Sequence, residues 1–600
     1  MCRIAAVISN TKDSLEYKIC SMTAAMHRGG PDDKGHIINE NLGYAIGHRR
    51  LAIIDLSDTG HQPMVDENNN IEIAFNGEIY NYLELKDILR EKGYSFSSES
   101  DTEVLIKGYQ EWGADLLSKL KGMFAFVLID KNSKTLFAAR DHAGIKPLYI
   151  AHKNNEILFS SEIRGLKAID ENWEENPNWK IWFLSFGFLP EPITTLKGVK
   201  PLPRGHFITI NLVTKEENLV EYSKYRYNGN VEPYKQVVVK TKQLVDDAVK
   251  RHLIADVPVG VFLSGGIDSS ILAILAQQLQ SSPIETISIY FDDEKYSERE
   301  YQDIIIKQTG VKHHLYKISK EEFIASWNEI YESLDQPSTD AINTHFICKY
   351  AKQNGLKVVL SGLGADEIFG GYQSVNHASK FTSYSRMAML SKFLPSLILG
   401  SYPRKKLEYL YHNLKASEYL LYRGLFTPRD VAKILDINVR DVCKELSTFS
   451  FQENLSRLSP QNRATYYETA IYMQSQLLKD SDTQSMWHSL ELRVPFLDKD
   501  LMEYVNDLDA SVKFIGGRKK PLLVDAYINE LPEAIWNRPK QGFTFPFENW
   551  FKEMNAFKNT ALVPTWIYQL FISKKLNFSR LWAVFLSNRL CKKDAVHNLD

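Results

Sequence analysis

Cysteine is scarce in this chain: five in 600 residues, at positions 2, 20, 348, 443 and 591. An odd number without paired spacing excludes a disulfide framework and a zinc cluster, and suits a reducing compartment. Net charge is nearly absent as well, with 72 basic against 74 acidic residues, interspersed along the chain. Without a basic stripe, nucleic acid is not an expected partner. Long apolar runs are missing too. Nothing reaches the roughly 18–20 uninterrupted apolar residues of a membrane span, and the stretch at 393–399 is too short. The N-terminus carries no basic-then-apolar leader, so a cytoplasmic location is expected. At roughly 100–150 residues per domain, a chain of this length is expected to hold at least two.

A further absence is more informative. Ser264-Gly265-Gly266-Ile267-Asp268-Ser269-Ser270 follows the apolar run Val257 to Leu263 and precedes the helix-like stretch Ile271 to Leu279. Small residues between strand and helix let backbone N–H groups close on an anion, with the helix N-terminus adding favourable charge. The loop lacks the Gly-Lys-Ser/Thr ending of a Walker loop, so nothing here reaches a γ-phosphate for transfer. It resembles the pyrophosphate loop of enzymes that cleave ATP to AMP and pyrophosphate, which adenylate a carboxylate rather than phosphorylate it.

At the other end, Cys2 becomes N-terminal if Met1 is removed. Its α-amino group, with a pKa of about 7.7–8.0, can then serve as general base for its own thiol, of pKa about 8.5. Three strings follow: His48-Arg49-Arg50-Leu51-Ala52-Ile53-Ile54-Asp55, Asn76-Gly77-Glu78-Ile79-Tyr80-Asn81 and Ser100-Asp101-Thr102-Glu103. With Cys2 in this order they resemble the glutaminase domain of class II glutamine amidotransferases. Gly30 to Asp33, Arg140-Asp141, Gly144 to Tyr149, Asp256 to Ser270, Ser361 to Tyr372, Ser489 to Asp498 and Arg580-Leu581-Trp582 extend the likeness, so that the whole chain resembles the glutamine-hydrolysing asparagine synthetase family.

The resemblance implies roles that the residue chemistry can fill. Glutamine is a zwitterion with a neutral amide, and Arg50 and Asp101 match the positions that hold its α-carboxylate and α-ammonium; the planar guanidinium fork suits a carboxylate as lysine would not. Attack by Cys2 develops an oxyanion, for which the matching donors are the Asn76 side chain and the Gly77 N–H, with Glu78 beside them in the glutamine site. Leu263, Ser264, Gly265, Gly266, Asp268, Ser269, Ser270, Ile289, Ser361 and Gly362 match the ATP site. Asp268 and Asp366 match the positions that place Mg²⁺ on the triphosphate, and Lys520 matches a lysine that stabilises charge at the adenylated centre. The implied substrates are glutamine, ATP and a carboxylate acceptor, aspartate first among them, and the family's habit raises a homodimer. A non-catalytic glutamine or nucleotide sensor, or a free-standing glutaminase, are the readings from other classes.

The chain departs from the family pattern in three places. Arg3 stands where Gly or Ser is usual, which is expected to alter packing at the entrance beside the nucleophile. The usual His-Arg-Gly-Pro-Asp aligns to Arg28-Gly29-Gly30-Pro31-Asp32. Leu363 stands where well-studied asparagine synthetases carry an acid, and an apolar side chain cannot pass a proton or bind an ammonium group. This leaves the acceptor open, including a cell-envelope precursor or a surface-sugar carboxylate.

The rhythm of the chain divides near residue 230. Before it, the short alternating runs Ile71 to Phe75, Met123 to Ile129 and Thr135 to Ala139 read as hairpin strands, and Leu83 to Lys92 and Glu103 to Trp112 as helices. With the resemblance this predicts an α+β N-terminal-nucleophile (Ntn) hydrolase domain of layered sheets at 1–213. A polar linker is expected at 214–233. In 234–600, strands Val257 to Leu263, Thr286 to Phe291, His314 to Ile318 and Leu356 to Leu360 alternate with helices at Ser269 to Gln280, Glu298 to Gly310, Glu321 to Ser333 and Thr344 to Asn354. That alternation predicts an α/β doubly wound parallel sheet, the ATP-pyrophosphatase domain, with ligands at the carboxyl ends of its strands.

Overall fold

The computed structural model describes residues 2–9, 14–293, 297–380, 406–412, 414–451, 455–538 and 546–589. The apolar stretch at 393–399 and Cys591 lie outside the described residues.

Twelve strands precede residue 230: β1 (Arg3–Ile8), β2 (Asp33–Asn39), β3 (Tyr44–Arg50), β4 (Met64–Val65), β5 (Ile71–Ile79), β6 (Gly122–Asp130), β7 (Thr135–Arg140), β8 (Tyr149–Lys153), β9 (Glu156–Ser160), β10 (Val199–Pro201), β11 (His206–Asn211) and β12 (Glu217–Glu221). They form two six-stranded antiparallel sheets, ordered β10-β8-β9-β1-β3-β2 and β12-β11-β7-β6-β5-β4. Period-two alternation explains the layering. In β1, Ile4, Ala6 and Ile8 point between the sheets to meet Ala74, Val127 and Ile210, while Ala5 and Val7 point outward to α1 (Leu15–Ala25). On the far side, α2 (Tyr82–Glu91) and α3 (Asp101–Trp112) cover the second sheet through Leu85, Leu89, Val104 and Leu105. The result is helix, sheet, sheet, helix, as expected of the first domain.

The linker expectation needs correction. Its first half, 217–221, is the edge strand β12, paired to β11, because the alternating Asn218 and Val220 can extend a ladder at a solvent-facing edge. Ahead of it, the helix Trp179–Phe186 leaves the sheets and packs into the core of the second half, where Trp182 Nε1 donates to Glu445 Oε1 (2.8 Å) and Phe186 stacks on Tyr419.

The second half holds a five-stranded parallel sheet of β13 (Val259–Phe262), β14 (Glu285–Tyr290), β15 (Lys312–Lys317), β16 (Val358–Leu360) and β17 (Glu491–Arg493), ordered β15-β14-β13-β16-β17. The four predicted strands are present and β17 is an addition: three residues carry too little pattern to be read as a strand. The predicted helix at 321–333 is broken into Lys320–Ala325 and Trp327–Ser333. Chain order reverses between β13 and β16, which opens a crevice at their carboxyl ends. No described helix is long and apolar enough to cross a membrane.

Candidate functional site

Two constellations stand out, one on each half. Cys2 directly precedes β1 and is 7 % exposed. Its backbone nitrogen donates to Asn76 Oδ1 (3.2 Å), leaving Asn76 Nδ2 a fully buried amide donor without a partner. An unpartnered buried donor carries a desolvation cost that an incoming oxyanion would remove. Next to it, Gly77 lies so close to β6 that a Cβ would stand 2.1 Å from Met123 O. Asn76-Gly77 is therefore mid-strand in β5 and not a hairpin turn.

Arg50, at the end of β3, directs Nη1 to Ser57 O (3.1 Å) and Nη2 to Ile54 O (3.3 Å) and Asp55 O, which clamps the loop after β3 and fixes the guanidinium plane. Asp101 caps the same space from the start of α3, accepting the Ile79 N–H at Oδ2 (2.9 Å). Burial pushes its carboxyl up to about 7, against the pull of that N–H. Burial likewise raises the Cys2 thiol, opposed by the chain terminus, the Leu51 backbone and Arg50. The expected glutamine-site residues Cys2, Arg50, Asn76, Gly77, Glu78 and Asp101 thus converge.

Glu78 also faces the other half of the chain. Its Oε2 lies 3.4 Å from Arg493 Nη2, and Arg493 at the end of β17 is bound by Glu491 (2.5 Å) and by the carbonyls of His252 (2.7 Å) and Ile254 (2.6 Å). Glu78, Glu491 and Arg493 are all buried, so the Cys2 constellation and the parallel sheet share one ion-pair network. Arg3 corrects another expectation. It is not at an entrance but fully buried, bound to Glu162 (2.5 Å) and, across the domain boundary, to Asp482 (2.9 Å). β-strand alternation requires this, because residue 3 points away from the side that Cys2 faces.

In the second half, a cavity of about 650 Å³ opens at the carboxyl ends of β13 and β16. Of the residues that the resemblance assigns to ATP, Leu263, Ser264, Gly266, Asp268, Ser269, Ile289, Ser361 and Gly362 line it. Gly265 and Ser270 do not. Gly265 turns at φ +75° beneath Tyr301, and Ser270 is fully buried with its hydroxyl unpartnered, on the core side of the helix Ile267–Leu279. Within the loop, Ser269 Oγ accepts from Ser264 N (3.1 Å) and Ser264 Oγ from Gly266 N (3.3 Å), which holds the turn open ahead of the helix N-terminus.

Lys520 Nζ reaches Asp268 Oδ1 (2.7 Å) and Oδ2 (2.6 Å) and Asp366 Oδ1 (2.5 Å). The two carboxylates hold its ammonium charged and push its pKa well above the usual lysine range despite burial. Lys520 adopts φ +45° just ahead of Pro521, a backbone position that aims its side chain back into the cavity. Two carboxylates converging on one cation form a hard-oxygen donor set that fits Mg²⁺. Sequence reasoning missed Arg538, bound to Glu298 (2.8 Å) and to Gly265 O (2.9 Å) and stacked over Tyr301, because no local pattern marks it. Leu363 lines the cavity as well.

Residues 1–225 match the Glutamine amidotransferase domain family and residues 240–576 the Asparagine synthase family. The chain is 35% identical to asparagine synthetase [glutamine-hydrolyzing] 1 of Bacillus subtilis, covering 92% of this chain and 87% of that one. It is 31% identical to a putative asparagine synthetase [glutamine-hydrolyzing] of Mycobacterium tuberculosis, over 88% and 84% of the two chains. It is 28% identical to amidase chry2 of Gibberella zeae, over 92% and 90%. An Ntn-type layered domain carrying a buried cysteine, joined through shared ion pairs to a parallel sheet with an open phosphate loop, agrees with these matches, and the chain belongs to the glutamine-hydrolysing asparagine synthetase family.

Proposed function

We propose that the enzyme amidates aspartate to asparagine, using glutamine as nitrogen donor and ATP as activator. The observation that carries this reading is the pair of complementary sites: a buried thiol beside an unpartnered amide donor in one half, and a phosphate loop facing two carboxylates and a lysine in the other. With Met1 removed, the Cys2 amine takes the thiol proton and the thiolate attacks the glutamine carboxamide. Asn76 Nδ2 and the Gly77 N–H receive the oxyanion, ammonia leaves, and water releases glutamate from the thioester. Arg50 and Asp101 hold the α-carboxylate and α-ammonium. In the other site the acceptor carboxylate attacks the α-phosphorus of ATP, pyrophosphate leaves, and ammonia displaces AMP. Lys520 stands where charge develops on the adenylate. Asp268 and Asp366 would hold Mg²⁺, which would offset charge on the triphosphate. The active enzyme is read as cytoplasmic.

The test supplies labelled ATP, Mg²⁺, glutamine and aspartate, and reads AMP, pyrophosphate and asparagine in equal amounts. Stoichiometric ADP and orthophosphate would sink the adenylation chemistry. One observation favours a second acceptor: Leu363 gives the cavity an apolar wall where an acid is usual, and the fungal relative named an amidase shows that chains of this build carry other names. Amide formed on a different carboxylate, with aspartate inert, would keep the mechanism and change the substrate.

A further inference from the structure

Outside both constellations, the described residues hold one group of three metal-ligating side chains whose donor atoms all lie within 4.8 Å of one another: Glu329, His345 and His488. None of the three lines the cavity at the strand ends. They come from separate elements. Glu329 is on the helix Trp327–Ser333, His345 is on the helix Ala341–Gln353, and His488 caps the C-terminus of the helix Leu478–Trp487 just ahead of β17. The group uses no cysteine, so the scarcity of cysteine in the chain does not bear on it.

His345 decides what the group can do. Its side chain is fully buried, and Nδ1 faces the amide oxygen of Gln484 (3.1 Å). That oxygen only accepts, so Nδ1 carries the ring proton and the lone pair is on Nε2. Among the described residues Nε2 has no hydrogen-bond partner, and it faces Glu329 Oε2, another acceptor, across 3.9 Å. Two electron-pair donors opposed in this way, one of them fully buried, carry a cost unless something electron-poor lies between them. His488 Nε2 adds a third pair: it stands 3.3 Å from His345 Nδ1, whose one proton is already directed to Gln484. Trp487 Nε1 donates to the other carboxylate oxygen, Glu329 Oε1 (3.2 Å). Outer partners thus orient both His345 and Glu329, as they do for metal ligands.

We propose that Glu329, His345 and His488 bind one Zn²⁺, with water completing the tetrahedron. Two imidazoles and a carboxylate are a donor set that zinc takes, whereas Mg²⁺ prefers oxygen ligands. Bonds of about 2.0–2.1 Å would bring the donors to about 3.4 Å from one another. The set must therefore contract, and Glu329 and His488, both only half-buried, are the ligands with room to move and the route by which the ion enters. Arg28 and Lys349 are the cations that oppose it; each is engaged elsewhere, Arg28 over the Trp487 ring (4.1 Å) and Lys349 with Glu322 (3.5 Å). The ion would staple three helices together where Ser489, next to His488, donates to the Arg28 carbonyl of the first half (2.6 Å), so its expected effect is on stability. The site is independent of the amidation reading.

The experiment strips the purified full chain with EDTA, adds zinc chloride in excess Mg²⁺, and reads bound zinc by equilibrium dialysis with elemental analysis. One zinc per chain should bind with a Kd of about 1 μM or below and raise the unfolding midpoint. Cys2→Ala, which removes a competing thiol, should leave both results unchanged. Glu329→Gln and His488→Asn replace half-buried side chains and so spare the core; each should weaken zinc binding roughly 100-fold or more and abolish the zinc-dependent rise in midpoint. Trp487→Phe, which loses only the hydrogen bond that holds the carboxylate, should cost about 10-fold. Cobalt in place of zinc should give the visible absorption of a four-coordinate site without a thiolate charge-transfer band. A chain that retains no zinc, as a water bridging His345 and Glu329 would predict, would overturn the proposal. So would zinc that is lost in Cys2→Ala, or that is held equally by Glu329→Gln and His488→Asn.

Discussion

The two sites of this enzyme are built on opposite plans. Around Cys2, most polar side chains are tied to backbone: Arg50 to the carbonyls after β3, Asp101 to the Ile79 N–H, Asn76 to the Cys2 nitrogen, with Glu78 facing Arg493 as the exception. Antiparallel sheets hold those partners, and the buried donor Asn76 Nδ2 is left without a hydrogen-bond partner. Around the phosphate loop, charges are tied to each other: Lys520 to Asp268 and Asp366, and Arg538 to Glu298. Such pairs can be re-partitioned when a triphosphate and its metal arrive. Under the proposed function the first site is preorganised for one small, neutral amide. On the same reading the second accepts and releases a highly charged nucleotide, and its resting charges satisfy one another until ligand exchanges with them.

Four measurements would break or sharpen this contrast. The largest effect is expected from Cys2→Ala, which should abolish glutamine-dependent amidation while ammonium salts still support AMP formation; retained glutamate release would remove Cys2 as nucleophile. Next, Asp268→Asn should lower AMP and pyrophosphate formation by roughly 10³-fold, through lost metal coordination and a weakened hold on Lys520, without changing glutamine hydrolysis. If both activities fell together, the sites would not be separable in the way described.

A smaller loss is expected of Asn76→Ala, about 10²-fold in kcat for glutamine hydrolysis with KM little moved, since the donor acts on the transition state. A rise in KM alone would make Asn76 a ground-state contact. The smallest effect is one of pH. Burial holds the Asp101 carboxyl at about 7, and only its ionised form pairs with the glutamine ammonium. Acidification therefore protonates it, and KM for glutamine should rise roughly tenfold between pH 8 and pH 6, with Asp101→Asn flattening the profile. A flat profile in the unmodified enzyme would show that Asp101 stays ionised throughout.

Much of this site was legible from residue order alone, because each of its strings is local. Ser264 to Ser270 turns within seven residues, and Asn76-Gly77-Glu78 occupies a single strand. Even there, orientation was out of reach: nothing in the string separates Ser269, which faces the cavity, from Ser270, which faces the core. The roles proposed for Arg50 and Asp101 come from family likeness; the structure adds that each side chain is held by backbone groups.

By itself the sequence determined the antiparallel hairpin strands of the first half and the strand–helix alternation of the second, because period-two and helical rhythms are properties of contiguous residues. Only the tertiary structure decided what depends on residues far apart in the chain. It buried Arg3 against Glu162 and Asp482, although residue 3 adjoins the nucleophile, and it joined Glu78 to Arg493 across 415 positions. It also placed Arg423 between Tyr372 and Tyr472. An isolated charge in sequence is most often solvated. Whether it is instead buried, and against which opposite charge, is settled by which faces the packing of the two halves removes from water.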